Sequence, residues 1–128
     1  MALIVLDASV VIAHLDSSDS LHGAATAALL EHAEDDLRLP ASAYAEALID
    51  PTARGRLAEA RERIAAMELL VVPLDEAIAE RAASLRVRHR ALRLPDALVL
   101  ATAEEFGADT VLTGDRRWWR LPKVRVIA

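Results

Sequence analysis

The chain has 128 residues, 54% of them apolar, a formal net charge of −5 and no cysteine. That length suits one domain, spanning 1–128, with enough apolar side chains for a substantial core. The lack of cysteine removes disulfides, thiolate metal sites and cysteine nucleophiles, and the acidic balance argues mildly against a general nucleic-acid coat. No uninterrupted apolar run reaches the ~18 residues of a membrane span, and the N-terminus lacks the basic region and cleavage site of a signal peptide. A reducing cytoplasm is the simplest compartment.

Residues 2–6 (ALIVL) form a short continuous apolar run, as expected of a strand buried on both faces. Asp7 and Ser9 then begin a helical pattern through Leu15, and DSSDS (16–20) reads as a turn. Leu21, Ala25, Ala28, Leu29 and His32 keep helical spacing until EDD (34–36). LRL (37–39) can be only a very short strand before Pro40 punctuates. Ser42 can cap a helix carrying Tyr44, Glu46, Leu48 and Ile49, which DPTARG (50–55) is expected to break.

Residues 57–67 read as another helix, and LLVVP (69–73) as a strand that ends at proline. Residues 75–90 are helical, with Ala79, Ala82, Ala83 and Leu85 among the inward candidates. RLPDALVLATAEEFG (93–107) is the clearest helix. Pro95 sits near its first turn, Asp96 is acidic at its N-terminal end, and Gly107 lies just past its last turn. TVLT (110–113) is a strand, GDRRWW (114–119) a turn or short helix, and VRVI (124–127) a last strand. Strands therefore alternate with helices. This implies βαβ units: an α/β fold with a mainly parallel five-stranded sheet flanked by helices on both faces.

In such sheets ligands sit beyond the carboxyl ends of the strands, which sorts the acids. Asp7 follows the first strand and Asp115 lies just past TVLT, so both pass. Asp109 precedes TVLT; at about 3.3 Å per residue it stands roughly 13 Å from the carboxyl edge and fails. Glu46, inside AYAEALI, and Asp96, opening DALVLATA, are not placed by this rule. Each acid also has a plain structural reading. Asp7 and Asp96 can serve a helix N-terminus, Glu46 a solvent face, and Asp115 a turn.

The positive charge is nearly all arginine, with Lys123 the only lysine. Arg81, Arg86, Arg88, Arg90 and Arg93, with His89, form a run without an acid, either a solvated helix face or a phosphate-contacting patch. Arg93 and, beside Asp115, Arg116 and Arg117 are the candidate phosphate contacts. His14, His22, His32 and His89 are scattered without metal-ligand spacing and read as structural or exposed. Trp118 and Trp119 can stack an unpaired base, but a core anchor beside a partner contact is the plainer reading.

An apolar strand ending in D-A-S, a glutamate in a helix some forty residues on, LPDALVLATA and VLTGDRRW follow one another in order. In this the chain resembles the PIN-domain proteins and, by size and layout, the VapC-type toxins of bacterial toxin–antitoxin pairs. The resemblance runs over nearly the whole chain. It implies a five-stranded sheet between helices and an Mg²⁺- or Mn²⁺-dependent ribonuclease. The family's acids fall on Asp7, Glu46, Asp96 and Asp115, its hydroxyls on Ser9 and Thr113, and its late aromatic on Trp118.

Four converging carboxylates must either take up protons or bind cations, and hard oxygen donors without cysteine select Mg²⁺ or Mn²⁺. The implied reaction is metal-assisted phosphodiester hydrolysis by in-line attack of water. Asp7, Asp96 and Asp115 are the metal-ligand candidates, Glu46 an outer or second-ion carboxylate, and Ser9 and Thr113 supporting hydroxyls. The resemblance further implies an RNA substrate, a homodimer and a VapB-type antitoxin whose tail occludes the acidic site. Two alternatives stand beside it. One is a catalytically silent PIN-like module that binds RNA or protein. The other is a receiver-like phosphoacceptor domain, which would need a lysine after its last strand, whereas Lys123 precedes that strand.

Overall fold

The computed structural model describes all 128 residues. Five strands form one sheet: β1 (Leu3–Leu6), β2 (Asp36–Pro40), β3 (Leu70–Val72), β4 (Thr110–Thr113) and β5 (Val124–Val126). Every pairing is parallel and the order is β3-β2-β1-β4-β5. The expected mainly parallel sheet is thus wholly parallel. This order differs from the 2-1-3-4-5 order of receiver domains, which sets that alternative aside.

Helices α1 (Ala8–Leu15), α2 (His22–Glu31), α3 (Ala41–Ala53) and α4 (Leu57–Ala65) fill the first two crossovers, and α5 (Glu76–Arg88) and α6 (Leu94–Phe106) the third. The chain steps from β1 outward through β2 to β3, then crosses back to β4 on the far side of β1. Right-handed crossovers in opposite directions put α1–α4 on one face of the sheet and α5 and α6 on the other. Packing agrees, with α1 against α2 and α3, α3 against α4, and α5 against α6.

Central β1 is the apolar run read from the sequence; Ile4, Val5 and Leu6 are wholly buried. The strand outruns the sequence expectation at 37–39, because Pro40 still fits the ladder opposite Val72. The helix after it begins at Ala41 behind Pro40, and Ser42 makes no cap. DPTARG ends that helix as expected, though only past its proline, at Ala53. Pro51 lies in its last turns, where it forfeits one N–H, and the chain leaves only at Gly55, whose φ is +70°. The helix expected over 57–67 ends at Ala65, and Glu68 takes a left-handed φ of 55° to enter β3.

In α5 the buried stripe is Ile78, Ala82 and Leu85, an i, i+4, i+7 series, so Ala79 and Ala83 face solvent contrary to expectation. The α6 helix starts with Pro95 and Asp96 in its first turn and stops at Gly107, left-handed at φ 61°. No helix is long and apolar enough to cross a membrane.

Candidate active site

The chain leaves β1 toward one edge of the sheet and β4 toward the other. The crevice beyond their carboxyl ends is therefore the topological switch point, where open α/β sheets bind ligands. Asp7 sits there. Its N–H donates to the Leu112 carbonyl at 2.9 Å, extending the β1–β4 ladder one residue past β1. As N-cap of α1 it makes no side-chain capping bond. Its Oδ2 instead accepts from Ser9 Oγ at 2.6 Å and from Thr113 Oγ1 at 2.9 Å.

The same two hydroxyls fasten the loop after β4. Gly114 N–H donates to Ser9 Oγ at 2.8 Å, and Asp115 N–H to Thr113 Oγ1 at 3.0 Å. Gly114 permits this approach. A Cβ there would lie 2.8 Å from Leu21 Cδ1 and 3.4 Å from Ser9. Ser9 and Thr113 thereby join two strand ends that stand 106 residues apart in sequence.

Asp96 is buried in the first turn of α6, where its Oδ2 accepts from the Arg93 N–H at 3.3 Å and lies 3.6 Å from Arg93 Nε. Glu46, half-buried on α3, feels the charges of both Asp7 and Asp96. Burial pushes its carboxyl above the usual range, those two acids push it further, and Arg93 opposes them. Burial likewise raises Asp7. The hydrogen bonds from Ser9, Thr113 and the Ala8 N–H offset part of this, and Asp96 adds to it.

Asp115 behaves oppositely. Arg117 covers it, donating from Nη2 to Oδ2 at 2.6 Å and from Nε to Oδ1 at 3.0 Å, while the Arg117 N–H donates to Oδ1 at 2.9 Å. This holds the Asp115 carboxyl below its ordinary value. The fields interlock further: Arg93 acts on Asp115, and Asp96 acts on Arg117. No three Asp, Glu or His side chains are grouped tightly enough to cage an ion as they stand.

All four candidate acids thus lie around one sheet edge or feel one another's charge. Asp109 is at the other end, accepting from the Leu3 N–H at 2.8 Å. Arg116 is exposed on the 3-10 turn Arg116–Trp118. Trp118 is buried beneath that turn, whereas Trp119 is exposed with Arg120 stacked on it at 4.8 Å.

The arginine run of α5 is largely a paired helix face. Arg81 pairs with Glu105, and Arg88 lies 3.9 Å from Glu104. The histidines serve locally: His14 shares a hydrogen bond with Thr26, His22 with the Ala13 carbonyl and His32 with Asp35.

Sequence reasoning missed one feature. A cleft of about 430 Å³ between α1, α3 and α4 has Glu46 on its wall together with Arg54, Arg56 and Arg63. The arginine-rich composition of 54–63 was its only signal, since nothing in that segment reveals that it folds back beside α1.

The PIN domain family matches residues 4–124. Among solved structures, Mycobacterium tuberculosis VapC20, described as a sarcin-ricin loop cleaving toxin, is 20% identical with a TM-score of 0.80, covering 98% of this chain and 99% of its own. A toxin–antitoxin complex from Klebsiella pneumoniae is 24% identical, with a TM-score of 0.78 over 96% of both chains. Rickettsia felis VapBC2, bound to a DNA fragment from its promoter, is 12% identical with a TM-score of 0.79 over 98% of this chain and 99% of that one. A comparison with curated proteins finds no match. With the acids gathered at the β1–β4 edge and the family match spanning nearly every element, the chain belongs to the PIN domain family.

Proposed function

We propose that the protein is an Mg²⁺- or Mn²⁺-dependent endoribonuclease, the toxin of a VapBC-type pair acting in the cytoplasm. The observation that carries this is Asp7, a buried carboxylate held by Ser9 and Thr113 at the switch point, with Glu46 and Asp96 within its field. A fold has little reason to bury mutually repelling acids unless something positive is to be bound there.

The donor set suits a hard, hydrated divalent ion. It is all carboxylate and hydroxyl oxygen, and Mg²⁺ takes only one or two carboxylates directly and keeps waters for the rest. The open grouping is compatible with that. Asp7, Asp96 and Asp115 would hold the ion and Glu46 its outer shell. When bound, the ion would offset phosphate charge and make water a better nucleophile.

The chain's own residues do the remainder. Ser9 and Thr113 fix the Asp7 carboxylate by donating to its Oδ2. Arg93, Arg116 and Arg117 ring the acids and supply donors for the phosphates flanking the cut bond. Glu46, whose carboxyl burial and the neighbouring acids Asp7 and Asp96 push above its usual range, is the group suited to exchange a proton with water.

The resemblance to toxin–antitoxin structures supports a VapB-type antitoxin as partner, and self-association as a homodimer completes the reading. The second reading, a catalytically silent PIN module, draws on the lack of a ready-made cage. The experiment is RNA cleavage by purified, partner-free protein with Mg²⁺ or Mn²⁺, beside Asp7→Asn. Cleavage that EDTA stops and the variant lacks is expected. No cleavage of total RNA under either metal would leave the binding module as the better reading.

A further inference from the structure

Arg117 makes a closer contact with the acidic site than a mere neighbour would. Its guanidinium forks onto Asp115, with Nη2 on Oδ2 at 2.6 Å and Nε shared between Oδ1 at 3.0 Å and Oδ2 at 3.2 Å. Arg93 differs, its Nε standing 3.6 Å from Asp96. The fork engages both oxygens of Asp115, so a divalent cation taking that carboxylate directly would compete with the guanidinium for its lone pairs.

The Arg117 side chain is 67% exposed and has no hydrogen-bond partner other than Asp115. It can therefore leave without breaking any other contact. The backbone makes this exchange clean. The Arg117 N–H also donates to Asp115 Oδ1, as the cap of the 3-10 turn. When the guanidinium swings out, Oδ1 stays fixed by that N–H and Oδ2 is exposed in an orientation already set.

We propose that Arg117 is a displaceable internal counter-ion of the active site: its guanidinium holds Asp115 until a divalent cation takes the carboxylate, and so sets the cation concentration at which the site fills. The inference rests on the metal-site reading above.

The test is Mn²⁺ binding to metal-stripped protein, followed by the electron paramagnetic signal of free Mn²⁺, with no RNA present. Arg117→Ala should bind Mn²⁺ roughly three- to tenfold more tightly than wild type. Arg116→Ala removes the same charge from the same turn without touching Asp115, and should change Kd by less than about twofold. Arg117→Lys keeps the charge but loses the fork, and should bind more tightly than wild type. In parallel, Mg²⁺ titration should shift the Arg117 Nε–H resonance while that of Arg81, paired with Glu105, stays put.

Equal effects of the Arg116 and Arg117 alanine variants would reduce Arg117 to a general electrostatic contributor and overturn the proposal. So would an Arg117 resonance that ignores Mg²⁺ in a protein that binds it. If neither wild type nor Arg117→Ala binds Mn²⁺, the metal-site reading itself fails and takes the proposal with it.

Discussion

Asp7 is where stability and chemistry pull apart most clearly. Burial raises its carboxyl above the ordinary 3.8. The folded chain therefore binds this proton more tightly than the unfolded chain does. Its contribution to stability is complete below the unfolded value and is lost as pH climbs through the raised one. Asp7→Asn should abolish cleavage, by at least about a hundredfold. In EDTA it should also raise stability by about 0.5–2 kcal/mol at neutral pH. That gain should shrink toward zero below pH 3.8, which calorimetry across pH would check. Thr113→Val keeps the shape but removes a donor from Asp7 Oδ2. It should cost about ten- to a hundredfold in cleavage, as losses of outer-shell partners do. Asp109→Ala, in contrast, should cleave as well as wild type and lose only about 1 kcal/mol from its bond to Leu3. These residues were legible in uneven degree. Asp7 and Asp115 followed from the strand rule alone, because a strand end fixes where its next residue points. Glu46 and Asp96 did not, because their place depends on how α3 and α6 pack beside β1, and the family resemblance located them instead.

At the scale of elements, each strand and helix announced itself through apolar period, proline and glycine, and the errors fell at ends. Pro40 and Pro51 both read as breaks, yet a proline's cost, the lost N–H bond and the crowding of its ring against the preceding turn, depends on where in the element it stands. At the end of β2 and in the last turns of α3 that loss is small. Ala79 and Ala83 were misplaced because alanine says little about which face it takes, while Ile78, Ala82 and Leu85 define the buried one. The 3-10 turn after Asp115 is a test of element against residue. Trp118 is 2% exposed and Trp119 64%, although they are adjacent and chemically identical. Trp118→Ala should destabilise the fold by about 3–5 kcal/mol in urea titrations and loosen the turn that carries Asp115. Trp119→Ala should shift stability by less than about 0.5 kcal/mol.

For the molecule as a whole, the sign of the net charge is misleading. For the proposed RNA substrate, a chain of −5 would gain little by long-range attraction, and affinity would have to come from a few arginines at the acidic edge. If Arg93, Arg116 and Arg117 each meet one phosphate, the cleavage-deficient Asp7→Asn protein should bind single-stranded RNA with a salt slope of about −2. Arg116→Ala should flatten that slope by about 0.7. Filter binding at several salt concentrations would measure both. Fold class and parallel topology were open to sequence reasoning because alternation of strands and helices leaves few chiral solutions. The cleft beside Glu46 was not, since it arises where the consecutive helices α3 and α4 fold back to meet α1. The long reach from Asp7 to Thr113 also bears on when in synthesis the site can form. Asp7 emerges from the ribosome almost at once, but the Thr113 hydroxyl that completes its surroundings is translated some 106 residues later. A chain that stops short of β4 carries Asp7, Glu46 and Asp96 but neither Thr113 nor Asp115, so its acidic edge is incomplete. That edge can close only once the last strands are free to dock, so whatever chemistry it performs begins with the finished chain.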